Sequence, residues 1–277
     1  LHKVGDVARL QTDSMIISSF INVTVNGFVD NYNMIMNSAA NVVNIIFNSV
    51  LSSFGNLIAT ESKDRQYELF KVYRFAASWI YGFAAVGFAI LLTPFITLWV
   101  GAERTLAFSV IGCILIDFYF KGERIVLSNF KTAAGVFEQD KYLALIQGVV
   151  NLVISIVLVV RIGLVGVYIG TIVSGLIANV TKPIIIYHVI LDRKAGEYFR
   201  DSVKYCLLLV VQYGIFYGIS GIIMKEITIL TFLVMFVIIC VVFNGIFLMV
   251  FRKTGEFQYL VTIVRRKIDE RKVRYYI

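Results

Sequence analysis

The 277-residue chain predicts an all-α, polytopic transmembrane bundle of eight spans. Three observations carry that prediction. The composition is 58% hydrophobic and only 16% charged, with a mean hydropathy of +0.81, whereas soluble domains carry roughly 25% charge. A soluble fold would have too little interior for so much core-type side chain. The apolar runs are also far longer than the roughly ten-residue alternating strands of a membrane barrel, so helices must satisfy the backbone in lipid.

A helix needs about 20 mostly apolar residues to cross the bilayer core. Spans are expected at 4–21, 28–59, 74–99, 104–130, 142–161, 164–190, 203–224 and 227–251. The first two are weak by hydropathy, because "INVTVNGFVDNYNMIMNSAANVVNIIFNSV" is rich in Asn and Ser. Uncharged polar residues at membrane depth face other helices or water. In the fourth span, "LAFSVIGCILI" runs into the charged "DFYFKGER". The sixth, "GLVGVYIGTIVSG", repeats small residues at Gly163, Gly166, Gly170, Ser174 and Gly175, a pattern that lets helices pack closely. Trp79, Trp99, Tyr119, Tyr187 and Tyr213 fit interfacial belts or packing.

The loops set the orientation. With the first residues placed inside, 21 of the 26 Lys and Arg fall on the cytoplasmic side, and only Arg104, Arg161 and Lys225 fall outside. The positive-inside rule therefore puts both termini in the cytoplasm. That distribution explains the net charge of +8 without nucleic acid. The basic tail "RRKIDERKVR" reads as an orientation signal, with anionic headgroups as an alternative ligand. Outside loops are short, leaving no room for an external catalytic domain. The Asn22-Val-Thr24 sequon is a weak match.

Charge recurs at membrane depth. Asp6, Arg9 and Asp13 share one face of the first span, with Arg9 between two carboxylates. Either the three face a wet cavity, or only Asp13 is immersed. In the fourth span Asp117, Lys121, Arg124, Ser128 and Lys131 fall within a stripe about 80° wide, and Glu123 points elsewhere. An interior stripe and a snorkelling cytoplasmic end are the two readings. In the first, Lys121 and Arg124 offer positive charge to an anionic ligand and Asp117 pairs that charge when the site is empty. Cys113, Cys206 and Cys240 lie in apolar runs as small packing residues, and His2 and His188 have no ligand-spaced neighbours, so no metal or other cofactor is expected. No nucleotide cradle, nucleophile elbow or metalloprotease motif is present, and no enzymatic activity is expected.

Four strings carry a family resemblance: "TDSMIISSFINVTVNGFVDNYNMI" (12–35), "FGNLIATE" (54–61), "FYFKGERIVLSNFKTAAGVFEQDKY" (118–142) and "IGLVGVYIGTIVS" (162–174). In order and spacing the chain resembles the Wzx-type polysaccharide flippases of the multidrug/oligosaccharidyl-lipid/polysaccharide exporter superfamily. The resemblance implies fourteen helices in two six-helix lobes and a final pair, of which this chain would supply helices seven to fourteen. Residues 1–190 would form the second lobe, 191–251 a cytoplasmic linker and accessory helix pair, and 252–277 a basic cytoplasmic tail. Leu1 is not a start methionine, so the chain reads as a piece of a longer protein.

The implied activity is movement of undecaprenyl-diphosphate-linked oligosaccharide repeat units across a bacterial plasma membrane, by rocking about a central polar cavity. Lys121, Arg124 and Arg9 would meet the anionic cargo, while Asp13, Asp117 and Asp6 would pair charge or couple an ion. Membrane lipids are implied partners, as are the polymerase and glycosyltransferases of a surface-polysaccharide pathway. Where the family often has arginine, this chain has Lys131, which weakens a bidentate phosphate contact there. Three alternatives stand beside this one: a cation-coupled multidrug and toxin extruder of the same fold, which would favour acidic cavity residues; a membrane polymerase or ligase, which needs large external loops; and a non-transporting, degenerate lobe.

Overall fold

The structure, a computed structural model, describes residues 12–263 and 265, and among them every regular element is helical. Helix α1 covers 12–20, followed by α2 (Val23–Asn48), α3 (Leu51–Thr60), α4 (Lys63–Val100), α5 (Phe108–Ala134), α6 (Leu143–Ile162), α7 (Leu164–Val189), α8 (Gly196–Ile223) and α9 (Ile229–Phe251). A last helical stretch covers 255–263. From residue 12 onward helices follow one another in the expected places, with shifted ends. Span 28–59 is two helices broken at Ser49 and Val50, and α4 starts at Lys63, eleven residues before the expected 74.

Local chemistry accounts for several boundaries. The Asn22 side chain accepts the backbone N–H of Thr24 at 2.6 Å and caps α2, which gives the sequon's asparagine a structural job. Ser62 caps α4, and Thr228 and Thr231 form a reciprocal capping box on α9. One residue, Gly163 at φ 63°, turns α6 into α7. That positive φ suits glycine.

Among the described residues, six helical stretches are long and apolar enough to cross a membrane: Val23–Thr60, Lys63–Val100, Glu138–Ile162, Leu164–Val189, Gly196–Ile223 and Ile229–Phe251. Helix α5, at 27 residues, is long enough but interrupted by Asp117, Lys121, Glu123 and Arg124. It is nevertheless central, packed against α2, α3, α4 and α7. Helices α8 and α9 pack on α4, where the Trp79 ring stacks on Phe247 and its Nε1 donates to Asn244 at 2.9 Å.

Helix α6 is inverted relative to a soluble helix. Gln147, Asn151, Ser155 and Val159, four residues apart, are buried against the protein, while Leu145, Val149, Val153 and Val160 are exposed. Water would expel that apolar face, whereas hydrocarbon accepts it. The buried side meets α7 at its glycines. A Cβ on Gly166 would lie 2.5 Å from the Leu158 carbonyl, and one on Gly170 would lie 2.1 Å from Ser155 Oγ and 2.8 Å from its backbone nitrogen. The small-residue repeat is thus the seam of the α6–α7 hairpin. Gly170→Val is expected to cost about 1–3 kcal/mol by overpacking. Thermal unfolding of the purified protein in detergent checks this, with Gly148→Ala, which meets open space, as the neutral comparison.

Candidate functional site

The charged face of α5 is turned mostly inward. Asp117 and Arg124 are each only 7% exposed, whereas the Lys121 side chain is 45% exposed and its Nζ sits 2.5 Å from Asp117 Oδ2. Acid at i and base at i+4 is the favourable order on a helix. Arg124 Nη1 donates to the Gly175 carbonyl at 2.8 Å and to Asn179 Oδ1, which ties α5 to α7. Lower on the same face, Lys182 donates to Ser128 at 3.2 Å, and buried Lys131 meets buried Asp140 at 2.6 Å. These last residues line a polar cavity of about 240 Å³. Lys121 is therefore the cation this face leaves accessible, and Arg124 is used between helices.

A second polar centre joins α1, α6 and α7. Thr171 Oγ1 donates to Asp13 Oδ2 at 2.8 Å, and Asn151 Nδ2 donates to Asp13 Oδ1 at 3.4 Å and to Thr171 Oγ1 at 3.0 Å. Asn151 is fully buried, and its Oδ1 has no hydrogen-bond partner among the described residues. One carboxylate, one unsatisfied amide oxygen and one hydroxyl form an all-oxygen donor set. Such donors suit a hard monovalent cation, or a proton on the carboxylate. Among the described residues no three His, Cys, Asp or Glu side chains gather as a transition-metal site. Asp6 and Arg9 lie outside the described residues.

A third centre was not legible from the sequence. Glu123, on the opposite side of α5 from the stripe, accepts from Ser78 at 3.2 Å, Tyr119 at 3.3 Å and Ser202 at 3.1 Å. Ser202 in turn accepts from Arg74 Nη2 at 2.7 Å, and the same nitrogen donates to the Tyr198 carbonyl at 2.7 Å. The Arg74 guanidinium also lies 3.7 Å over the Tyr198 ring, a cation–π contact. Sequence placed Arg74 among cytoplasmic loop cations, but it is 3% exposed and binds α4 to α8. Burial reassigns it because α4 begins eleven residues earlier than hydropathy indicates.

The outward apolar faces, the six spanning helices and the polar side chains turned inward define an integral membrane protein. Searches against family models, curated proteins and solved structures returned no match.

Proposed function

We propose that the chain is part of a flippase that carries undecaprenyl-diphosphate-linked oligosaccharide repeat units from the cytoplasmic to the outer leaflet of a bacterial plasma membrane, for surface polysaccharide synthesis. The observation that carries this is the α5 face, where an accessible Lys121 is held by a buried Asp117 within a bundle of lipid-exposed helices. A diphosphate is an anion that a lysine recognises as a point charge. An amphiphilic cargo also fits the apolar crevice of about 310 Å³ between α2, α4 and α9, lined by Phe83, Phe88, Phe95 and Phe232.

In the full proposal, α1 and α5 join the six apolar stretches to make eight spans, helices seven to fourteen of a fourteen-helix transporter, both termini are cytoplasmic, and α8–α9 are the accessory pair. The Asp13 centre couples an ion, sodium or a proton, to the rocking cycle. Occupancy of Asp13 would change how α1 holds the α6–α7 hairpin, and so bias one access state over the other.

Lys121→Ala in the full-length protein is expected to lower transport about tenfold, the worth of one charge-assisted contact. Lys121→Arg should restore most of it. Outer-leaflet arrival of lipid-linked oligosaccharide, measured at matched protein levels, decides between them. Normal transport by the alanine variant removes Lys121 from the cargo site. A same-fold exporter of cationic drugs is the second proposal, favoured by the half-buried carboxylate of Asp13 and the buried one of Asp117. It would show drug resistance that falls in Asp13→Asn and is indifferent to Lys121.

A further inference from the structure

Helix α2 carries a one-sided ladder of amides. At 100° per residue, Asn26, Asn33, Asn37, Asn41, Asn44 and Asn48 fall within about 80° of one another. Asp30 lies in the same band. From Asn26 to Asn48 is 22 residues, about 33 Å of helix, which matches the depth of a bilayer's hydrocarbon core. On one flank, buried Val29, Met36 and Phe47 seat the helix; on the other, Met34, Val42 and Ile45 are exposed and apolar.

Asp30, Asn37, Asn41 and Asn48 are exposed, and among the described residues the side chains of Asn37, Asn41 and Asn48 make no hydrogen bond. Bare amides are not stable against hydrocarbon. The band therefore borders water or a polar occupant. At Asn33 it lies toward the charged site. Asn33 is within hydrogen-bonding reach of Tyr168, which lies in the fields of Asp13, Asp30 and Asp117. Near the far end, Asn44 accepts from the Tyr81 hydroxyl at 2.6 Å.

We propose that the α2 ladder is the track that holds the saccharide part of the cargo, a neutral polyhydroxylated glycan, while Lys121 holds the phosphate. This assignment rests on the cargo class proposed above. Each amide offers two donors and an acceptor, which matches the alternating donor and acceptor hydroxyls of a sugar ring. Six neutral amides and a single carboxylate complement an uncharged ligand, unlike the lysine beside them. Neutral hydrogen bonds are also weak enough to exchange as the glycan moves. The open amides of Asn37, Asn41 and Asn48 extend over 11 residues, about 16 Å of helix, which suits an extended chain of sugars, where a single compact ligand would need only one cluster.

The experiment has two arms, both on the full-length protein with Cys113, Cys206 and Cys240 replaced by alanine. In the first, Asn37→Cys and Asn41→Cys are expected to react with a membrane-impermeant charged maleimide, whereas Val42→Cys and Ile46→Cys are not. Unreactive positions 37 and 41 mean that other protein covers the face, and the proposal is overturned whatever the cargo. In the second, the double variant Asn37→Ala, Asn41→Ala is expected to lose about tenfold in transport of undecaprenyl diphosphate bearing a complete repeat unit, from two neutral hydrogen bonds. Transport of the same lipid bearing one sugar should fall less than twofold. Equal loss on both cargoes, or loss on neither, overturns the saccharide track. A wild-type protein that moves neither cargo refutes the cargo class itself, and the track falls with it.

Discussion

Asp13→Asn is expected to lower coupled transport by tenfold or more while leaving the protein folded. The substitution keeps size and shape but removes the only formal charge among the Asp13, Asn151 and Thr171 donors. Hydrogen bonds and contacts to a charged group are worth about 1.5–3 kcal/mol, or roughly ten- to a hundredfold in affinity for a cation. The asparagine also turns an amide N–H₂ toward one of the two donors, Thr171 or Asn151, that met a carboxylate oxygen, which weakens the link between α1 and the α6–α7 hairpin. Transport in proteoliposomes with imposed sodium or proton gradients checks this. Loss of gradient dependence with only a small fall in unfolding temperature is the expected pair of results. Full, gradient-driven transport by Asp13→Asn would take the coupling role away from this centre.

Arg74→Ala is expected to cause the largest loss of stability, about 3–5 kcal/mol. Its guanidinium is 3% exposed, bonds Ser202 and the Tyr198 carbonyl, and through Ser202 faces the buried Glu123 carboxylate. Removing it leaves an uncompensated charge in the interior, which costs more than the lost contacts alone. The consequence is spatial as well as energetic, because these bonds join α8 to α4 and α5. Glu123→Gln, which removes the stranded charge and keeps an acceptor, should cost less. Combining Arg74→Met with Glu123→Leu should recover a large part of the loss, since apolar replacement of a buried charge pair is often near neutral. Thermal unfolding in detergent of the wild type, the singles Arg74→Met and Glu123→Leu, and their double checks this. A double variant as unstable as the sum of the singles would show that the two charges do not communicate.

Periodicity made some of this legible and tertiary distance hid the rest. The α5 stripe follows from counting 100° steps through Asp117, Lys121 and Arg124, and its burial agrees with an interior face. The glycine steps of α7 likewise announce a close helix contact, and Gly166 and Gly170 make it against α6. Sequence could not show that Arg124 is occupied by Gly175 and Asn179, more than 50 residues away. Asp13 was recognisable as an immersed carboxylate, but Asn151 and Thr171 reach it from 138 and 158 positions along the chain. The burial of Arg74 was not legible because hydropathy marks where a helix turns polar, and α4 continues eleven residues past that point. The asparagine spacing of α2 was written in the sequence throughout. Only the structure shows that its band lies beside the buried face, next to Tyr168, with three amides open.

The central claim is that the protein moves a lipid-linked oligosaccharide between leaflets. Its most direct test is the leaflet distribution of undecaprenyl-diphosphate-linked repeat units in cells depleted of the full-length protein, with the glycosyltransferases intact. The outer-leaflet pool is expected to vanish while the cytoplasmic-leaflet pool grows. An unchanged distribution, accompanied by new sensitivity to cationic drugs, would contradict the flippase and leave the drug exporter.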